Sequence, residues 1–180
     1  MKTAVKFEDD ESLYERKNIL LTHITKTPGI RYRELLKVSG YSNGVLFYHL
    51  TGLEEAGLIR VERKHTRRIT RYYPNNLSEI ECAILSYLRQ PPLRDIILFL
   101  LEKHQCNISD IVSYTGKAIS TISLHIGYLK HEGIISNRRN GHIFLYRLTN
   151  PELVADIASK YKMKIIDKSI NNFIDMVQDL

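Results

Sequence analysis

The stretch SNGVLFYHLTGLEEAGLI, residues 42–59, decides the fold. Ser42 is a helix N-cap residue type, and Leu46, Leu50 and Leu53 follow it at helical spacing. At about 100° per residue they fall in one narrow stripe. Gly44, Val45, Tyr48, Thr51 and Gly52 lie opposite, with Phe47 on a flank and Asn43 near the start. None of these outward residues is an acid. Gly57 ends the pattern. The spacing predicts a helix over 43–56 whose leucines pack inward and whose other face meets a surface.

Working outward, residues 12–26 hold Leu13, Ile19, Leu20 and Ile24 at helical spacing, and Pro28-Gly29 stops them. A short helix is expected over 31–38, with Leu35 and Leu36 inward. Gly40 is placed for a left-handed turn after it. Beyond Gly57, residues 58–62 and 69–73 read as two strands joined by a basic loop, and Pro74 ends the second. The order is helix, helix, turn, helix, hairpin.

The same order returns 76 residues later. Gly40, His49, Leu53 and Gly57 meet Gly116, His125, Leu129 and Gly133. Apolar positions agree between these anchors: Leu35 meets Ile111, Leu46 meets Ile122, Leu50 meets Ile126, and Ile59 meets Ile135. A period this long indicates two similar small domains rather than a solenoid. The second unit predicts helices over 93–104, 109–114 and 118–132, then strands over 134–138 and 142–148, with Asn140-Gly141 in the hairpin turn. The expected organisation is a first domain at 12–75, a connecting helix within 76–91, a second domain at 92–150 and a helical segment at 151–180. In that last segment Ile166, Ile170, Phe173, Val177 and Leu180 step 4, 3, 4 and 3, a heptad seam suited to a homodimer or to packing on its own domain.

Charge supports a nucleic-acid partner. The 180 residues carry a formal net charge of +6, and the excess is local: residues 29–75 hold nine basic and four acidic residues. Arg60, Arg63, Lys64, Arg67, Arg68 and Arg71 crowd around the first hairpin against Glu62 alone. Arginine forks match phosphate oxygens. A solvated loop is the other explanation of such a cluster.

The quoted stretch resembles the recognition helix and following strand of winged helix-turn-helix regulators of the ArsR/MarR kind. Residues 67–74, RRITRYYP, resemble their basic wing and return strand. The linker LRQPPLRDIIL, residues 88–98, joining one unit to another, is similar to archaeal tandem winged-helix transcription regulators. The resemblance covers about residues 12–150. It implies a mainly α fold with small β-hairpin wings: two tandem winged helix-turn-helix domains plus C-terminal helices. It further implies recognition helices in the major groove of double-stranded DNA. One archaeal member of this architecture is an archaellum regulator that recruits transcription factor B, so a basal transcription factor is an implied partner.

On this reading Ser42, Asn43, Gly44, Val45, Phe47, Tyr48 and Thr51 face the groove, and Arg63, Lys64, His65, Arg67 and Arg68 grip phosphate or reach the minor groove. His49 lies beside the core stripe, open to either a structural or a contacting role. The second unit offers Lys117, Ser120, Thr121 and Ser123, with Arg138 and Arg139 on its wing, a less basic set.

Other classes find little support. Gly116-Lys117 lacks the upstream glycine of a phosphate loop, no Gly-x-Ser-x-Gly occurs, and no His-Glu-x-x-His occurs. An enzyme is not expected, nor a cofactor. His104 and Cys106 offer only half of a metal site. The longest apolar run is 96–101, whereas a membrane span needs roughly 20 residues. Two cysteines, Cys82 and Cys106, build no disulfide framework, and a cytoplasmic setting is expected. A winged-helix protein–protein scaffold in a transcription assembly is the competing reading.

Overall fold

The computed structural model describes residues 3–64 and 69–161, with side chains from residue 14 onward except that of Lys64. The chain divides into two units, Met1–Leu77 and Ser78–Leu180.

In the first unit, α1 (Thr3–Lys26), α2 (Tyr32–Ser39) and α3 (Asn43–Glu55) pack on a sheet of β1 (Ile30–Arg31), β2 (Ile59–Lys64) and β3 (Ile69–Pro74). Leu46, Leu50 and Leu53 of α3 are buried against Leu20 and Ile24 of α1, Leu35 of α2, and Ile30, Ile59 and Tyr72 of the strands. Each such side chain contributes about 1.5–3 kcal/mol by leaving water. Two backbone devices set the entry and exit of α3. Gly40 takes φ 69° and closes α2 in the left-handed region. Ser42 Oγ then accepts the Val45 N–H at 3.5 Å. At the other end Gly57 takes φ 67°; its N–H donates to Glu54 O at 2.9 Å and the Leu58 N–H donates to Leu53 O at 3.0 Å, a Schellman motif. The next residue begins β2, so the helix end also fixes where the hairpin starts.

The sheet order is β1-β3-β2. β1 is too short to have been read from the sequence: Ile30 pairs with Tyr72 and Arg31 with Arg71. It places β3 in the middle, and Arg71, Tyr72 and Tyr73 are all buried.

The second unit repeats this at the backbone level. Its α6 (Ile108–Thr115), α7 (Ile119–His131) and β4 (Ile135–Asn140) begin 76 residues after α2, α3 and β2. Gly116 takes φ 65° and Gly133 φ 71°, matching Gly40 and Gly57. β5 (Ile143–Leu148) begins only 74 residues after β3, because the second wing is two residues shorter. Its loop is Gly141-His142, with Asn140 already paired to Ile143; the sequence expectation had centred the turn one residue earlier. With the shift applied, the Cys106–Tyr146 bridge is the counterpart of Ile30–Tyr72.

The segment expected to connect the domains holds α4 (Glu79–Leu88), which belongs to the second unit's interior. Ser78 and Glu81 cap it reciprocally: Ser78 N–H donates to Glu81 Oε2 at 2.8 Å and Glu81 N–H to Ser78 Oγ at 3.4 Å. Seven consecutive residues, Cys82 to Leu88, are buried. A helix covered all round cannot be a solvated link; α4 packs on α5 (Pro91–Lys103) and on α8 (Pro151–Lys160). Pro91 and Pro92 open α5, where their missing N–H groups cost nothing. The heptad seam of 166–180 lies outside the described residues.

One strained residue stands out. His104 follows α5 at φ 59°, ψ −43°, and Gln105 N–H donates to Lys103 O at 2.6 Å. That is a three-residue γ-turn with positive φ at its centre, a rare and costly conformation for a residue with a Cβ. His104→Gly is expected to be more stable than His104→Ala by about 1 kcal/mol, seen as a higher melting temperature. Equal stability of the two variants would mean that no strain is stored there.

Candidate nucleic-acid interface

Burial of the α3 leucines turns the opposite face outward. Asn43 and Gly44 are exposed, Phe47 and Tyr48 keep 66% and 62% of their surface, and Val45 and Thr51 are half-buried. An added Cβ at Gly44 would meet nothing within 4 Å, whereas at Gly52 it would meet the Lys17 side chain of α1 at 3.7 Å. The face is therefore open at its N-terminal end and bordered by an α1 lysine further along. Ser42 is exposed at the cap, and the Asn43 carbonyl accepts the Tyr32 hydroxyl at 3.0 Å. The face also carries one acid. Glu55, seven residues after Tyr48, lies about 20° from it on the helix and is exposed. The face is free of carboxylates only over 43–53.

His49 does not face outward. It is 1% exposed, which removes it from the expected DNA contacts. The reason is angular: position 49 lies about 40° from Leu53 and about 60° from Leu46, inside the apolar stripe. Tyr48 meets its ring edge-on at a 5.3 Å centroid distance, and Tyr41 lies at 6.2 Å. Its Nδ1 is buried with no hydrogen-bond partner among the described residues. Burial, with Arg16 and Lys17 nearby, holds its pKa below the ordinary 6.5.

The basic hairpin also sorts differently from expectation. Arg63 forks onto Glu54, with Nη1 to Oε1 at 2.7 Å and Nη2 to Oε2 at 2.5 Å. This ties β2 to the last turn of α3 and holds the Glu54 carboxyl below its ordinary range. Arg63, expected on phosphate, must break that pair to reach one. Arg71 is 3% exposed and donates through Nη1 to the Gly29 carbonyl at 2.8 Å, so it adds nothing to the outer charge. The Lys64 side chain and residues His65, Arg67 and Arg68 lie outside the described residues.

In the second unit, Ser120 and Ser123 are exposed on α7, and Lys117 and Thr121 are half-buried. Arg138 donates to Gln105 Oε1 at 3.1 Å and Arg139 Nε to the Gly141 carbonyl at 3.0 Å; both arginines are exposed. What the sequence did not reveal is the apolar character of this surface. Ile119 and Leu124 on α7 are 58% and 53% exposed, and Ile143 and Phe144 on the wing 48% each. Alternation in a two-stranded wing with little behind it leaves both faces open.

Among the described residues no group of three His, Cys, Asp or Glu side chains is placed to hold a metal. Cys82 and Cys106 are both buried and unbridged, and burial, with Asp110 adding to it, pushes the Cys106 thiol up to about 12. No described helix is long and apolar enough to cross a membrane.

The depressed pKa of His49 has a definite sign. The folded state prefers the neutral ring, so its contribution is present above the unfolded pKa of 6.5 and is lost as pH falls below it. Between about pH 7.5 and about pH 5.5 the melting temperature of the parent is expected to fall more than that of His49→Gln. Parallel pH profiles for the two proteins would refute this.

The family models that match this chain agree with this order of elements. A model of an N-terminal helix-turn-helix domain matches residues 14–85, and the model of bacterial regulatory proteins of the arsR family matches residues 91–137. A helix-turn-helix-type transcriptional regulator of Methanocaldococcus jannaschii is 26% identical over 139 residues, 77% of this chain and 34% of the relative; the chain thus spans about a third of that relative's length. Among solved structures, reduced HlyU of Vibrio cholerae is 17% identical with a TM-score of 0.41, covering 48% of this chain and 90% of its own. The transcriptional repressor BigR of Xylella fastidiosa is 22% identical with a TM-score of 0.41, covering 47% and 86%. A homodimeric winged helix-turn-helix DNA-binding domain of Mycobacterium bovis is 22% identical with a TM-score of 0.39, covering 47% and 83%. The two domain matches fall one on each half of the repeat, and the chain carries two tandem helix-turn-helix units, each followed by a β-hairpin wing.

Proposed function

We propose that the chain is a sequence-specific regulator that binds double-stranded DNA through its first unit, with α3 in the major groove and the hairpin of β2 and β3 on the adjoining backbone. The observation that carries this is the outer face of α3: over residues 43–53 it holds exposed Phe47 and Tyr48, open space at Gly44 and no carboxylate. A major groove about 12 Å wide admits such a helix. Asn43, Tyr48 and Thr51 supply hydrogen bonds to base edges, and Val45 and Phe47 supply apolar contact to thymine methyls. Ser42 and Gly44 let the helix start approach the backbone. Lys64, His65, Arg67 and Arg68 supply phosphate affinity. In the second unit Lys117, Ser120, Thr121, Ser123, Arg138 and Arg139 make a weaker contact with another part of the site. A homodimer through 166–180 would double the footprint; a basal-factor partner rests on the resemblance alone.

A second reading, the protein–protein scaffold, draws on the exposed Ile119, Leu124, Ile143 and Phe144 of the second unit. Gel mobility shift on random duplex at low and high salt separates the two: a regulator gives salt-sensitive binding, a scaffold none. Within the regulator reading, Arg67→Ala with Arg68→Ala is expected to weaken all sequences alike and to flatten the salt dependence by about one unit of slope per lost phosphate contact. Tyr48→Ala is expected to alter sequence preference, measured by selection from a random library, with little change in slope. Equal loss of preference from both variants would refute the division of roles.

A further inference from the structure

Two of the first unit's arginines have side chains that the fold described above does not use. Arg31 ends β1 and Arg33 lies in the first turn of α2; with Tyr32, Ile69 and Thr70 they line an open cleft of about 390 Å³. Arg31 is half-buried and Arg33 exposed. Neither guanidinium is paired with a carboxylate among the described residues. Of the acids close in sequence or register, Glu34 accepts the backbone N–H of Arg31 through Oε2 at 2.9 Å, as a helix cap, and Glu62 Oε2 accepts the Tyr73 hydroxyl at 3.1 Å. This contrasts with Arg63 and Arg71, which hold Glu54 and the Gly29 carbonyl. Two like charges flanking one cleft repel each other, and an anion between them relieves that repulsion. Planar guanidinium donors favour an anion with several oxygens in fork geometry, and the Thr70 hydroxyl adds a short donor.

The geometry points to a phosphate-binding cleft formed by Arg31, Arg33 and Thr70. The cleft is joined to α3 through its lining residue Tyr32, which donates its hydroxyl to the carbonyl of Asn43, the first residue of α3. A backbone phosphodiester of the duplex proposed for α3 is one source of such a phosphate; free phosphate is the other. The cleft itself stands on its own residues. Its assignment to the duplex rests on the proposed DNA binding.

The test uses the full chain and the variants Arg33→Ala, Arg31→Ala/Arg33→Ala and Arg31→Lys/Arg33→Lys, with far-ultraviolet circular dichroism to confirm folding. Arg33→Ala removes only an exposed side chain, so it keeps the test interpretable should the double variant unfold. In one arm, duplex affinity is measured against salt. The double alanine variant is expected to bind every sequence more weakly, with the slope shallower by about two contacts. It then loses roughly tenfold less affinity than the parent between about 50 and about 200 mM salt. The lysine pair is expected to retain most of the slope, and sequence preference stays unchanged. In the other arm, inorganic phosphate replaces chloride at equal ionic strength, and melting is followed with no DNA present. A phosphate-dependent rise in melting temperature that the alanine variants lose, with the duplex slope unmoved, assigns the cleft to free phosphate. If the parent binds duplex with a steep salt dependence while the alanine variants match it in slope, and phosphate stabilises none of them, the cleft is not a phosphate site. If the parent binds no duplex at all, the DNA reading fails, and the phosphate arm alone decides the cleft.

Discussion

The rotation of α3 about its own axis is the constraint on which everything else depends, and the apolar stripe of Leu46, Leu50 and Leu53 against Leu20, Ile24 and Leu35 sets it. A turn of one residue, about 100°, would carry Tyr48 toward the core and His49 out of it. The stripe holds because the alternative buries Thr51 or Asn43 without partners and leaves leucines in water, a difference of several kcal/mol. The left-handed Gly40 and Gly57 then limit how far the helix can slide along its axis, since each end is pinned by a conformation that a residue with a Cβ adopts only at a cost. The hairpin inherits this placement: β2 starts four residues after α3 ends, and the Arg63–Glu54 fork joins the two again further along.

The same interaction explains why local charge counting misleads here. Six cations gather around one hairpin in sequence, yet the fold uses two of them internally. Arg71 sits on the central strand, where its neighbours bury it, and a buried guanidinium must find acceptors; the Gly29 carbonyl, just before β1, is one. Arg63 alternates to the solvent side but finds Glu54 from a helix that the strand pattern does not reveal. Arg31 and Arg33, outside the cluster in sequence, have no such partners among the described residues. Availability of a charge depends on long-range pairing, and pairing follows from topology rather than from density along the chain.

That distinction marks what the sequence made legible. The helices, glycine turns, Ser42 and Ser78 caps and the duplicated unit are all written locally, in spacing and residue type, and the structure places them within a residue or two, except that α1 begins at Thr3, well before the expected start at residue 12. β1 is two residues long and exists only because β3 lies beside it. The role of α4 depends on α5 and α8 covering it from both sides. His49 was ambiguous because a polar side chain was weighed by its chemistry; its angle to Leu46 and Leu53 was available in the sequence and places it inside. Glu55 was missed for the same reason in reverse, since its angle to Tyr48 puts it on the outer face.

The two units show what a shared frame leaves free to vary. The starts of α2, α3 and β2 recur 76 residues later in α6, α7 and β4, so the packing stripe has been held while the outer face has changed. Tyr48 has become Leu124, and the four-residue wing loop has become two. A shorter wing carries fewer cations, and apolar Ile119, Leu124 and Phe144 stand where the first unit has Asn43, Tyr48 and Thr70. Packing constrains the inner positions of both units identically, because the same helices must close on the same hairpin. The outer positions answer only to what they meet. Inner positions change only among apolar types, Leu46 against Ile122 and Leu50 against Ile126, whereas outer positions change in chemistry, Phe47 against Ser123 and Tyr48 against Leu124.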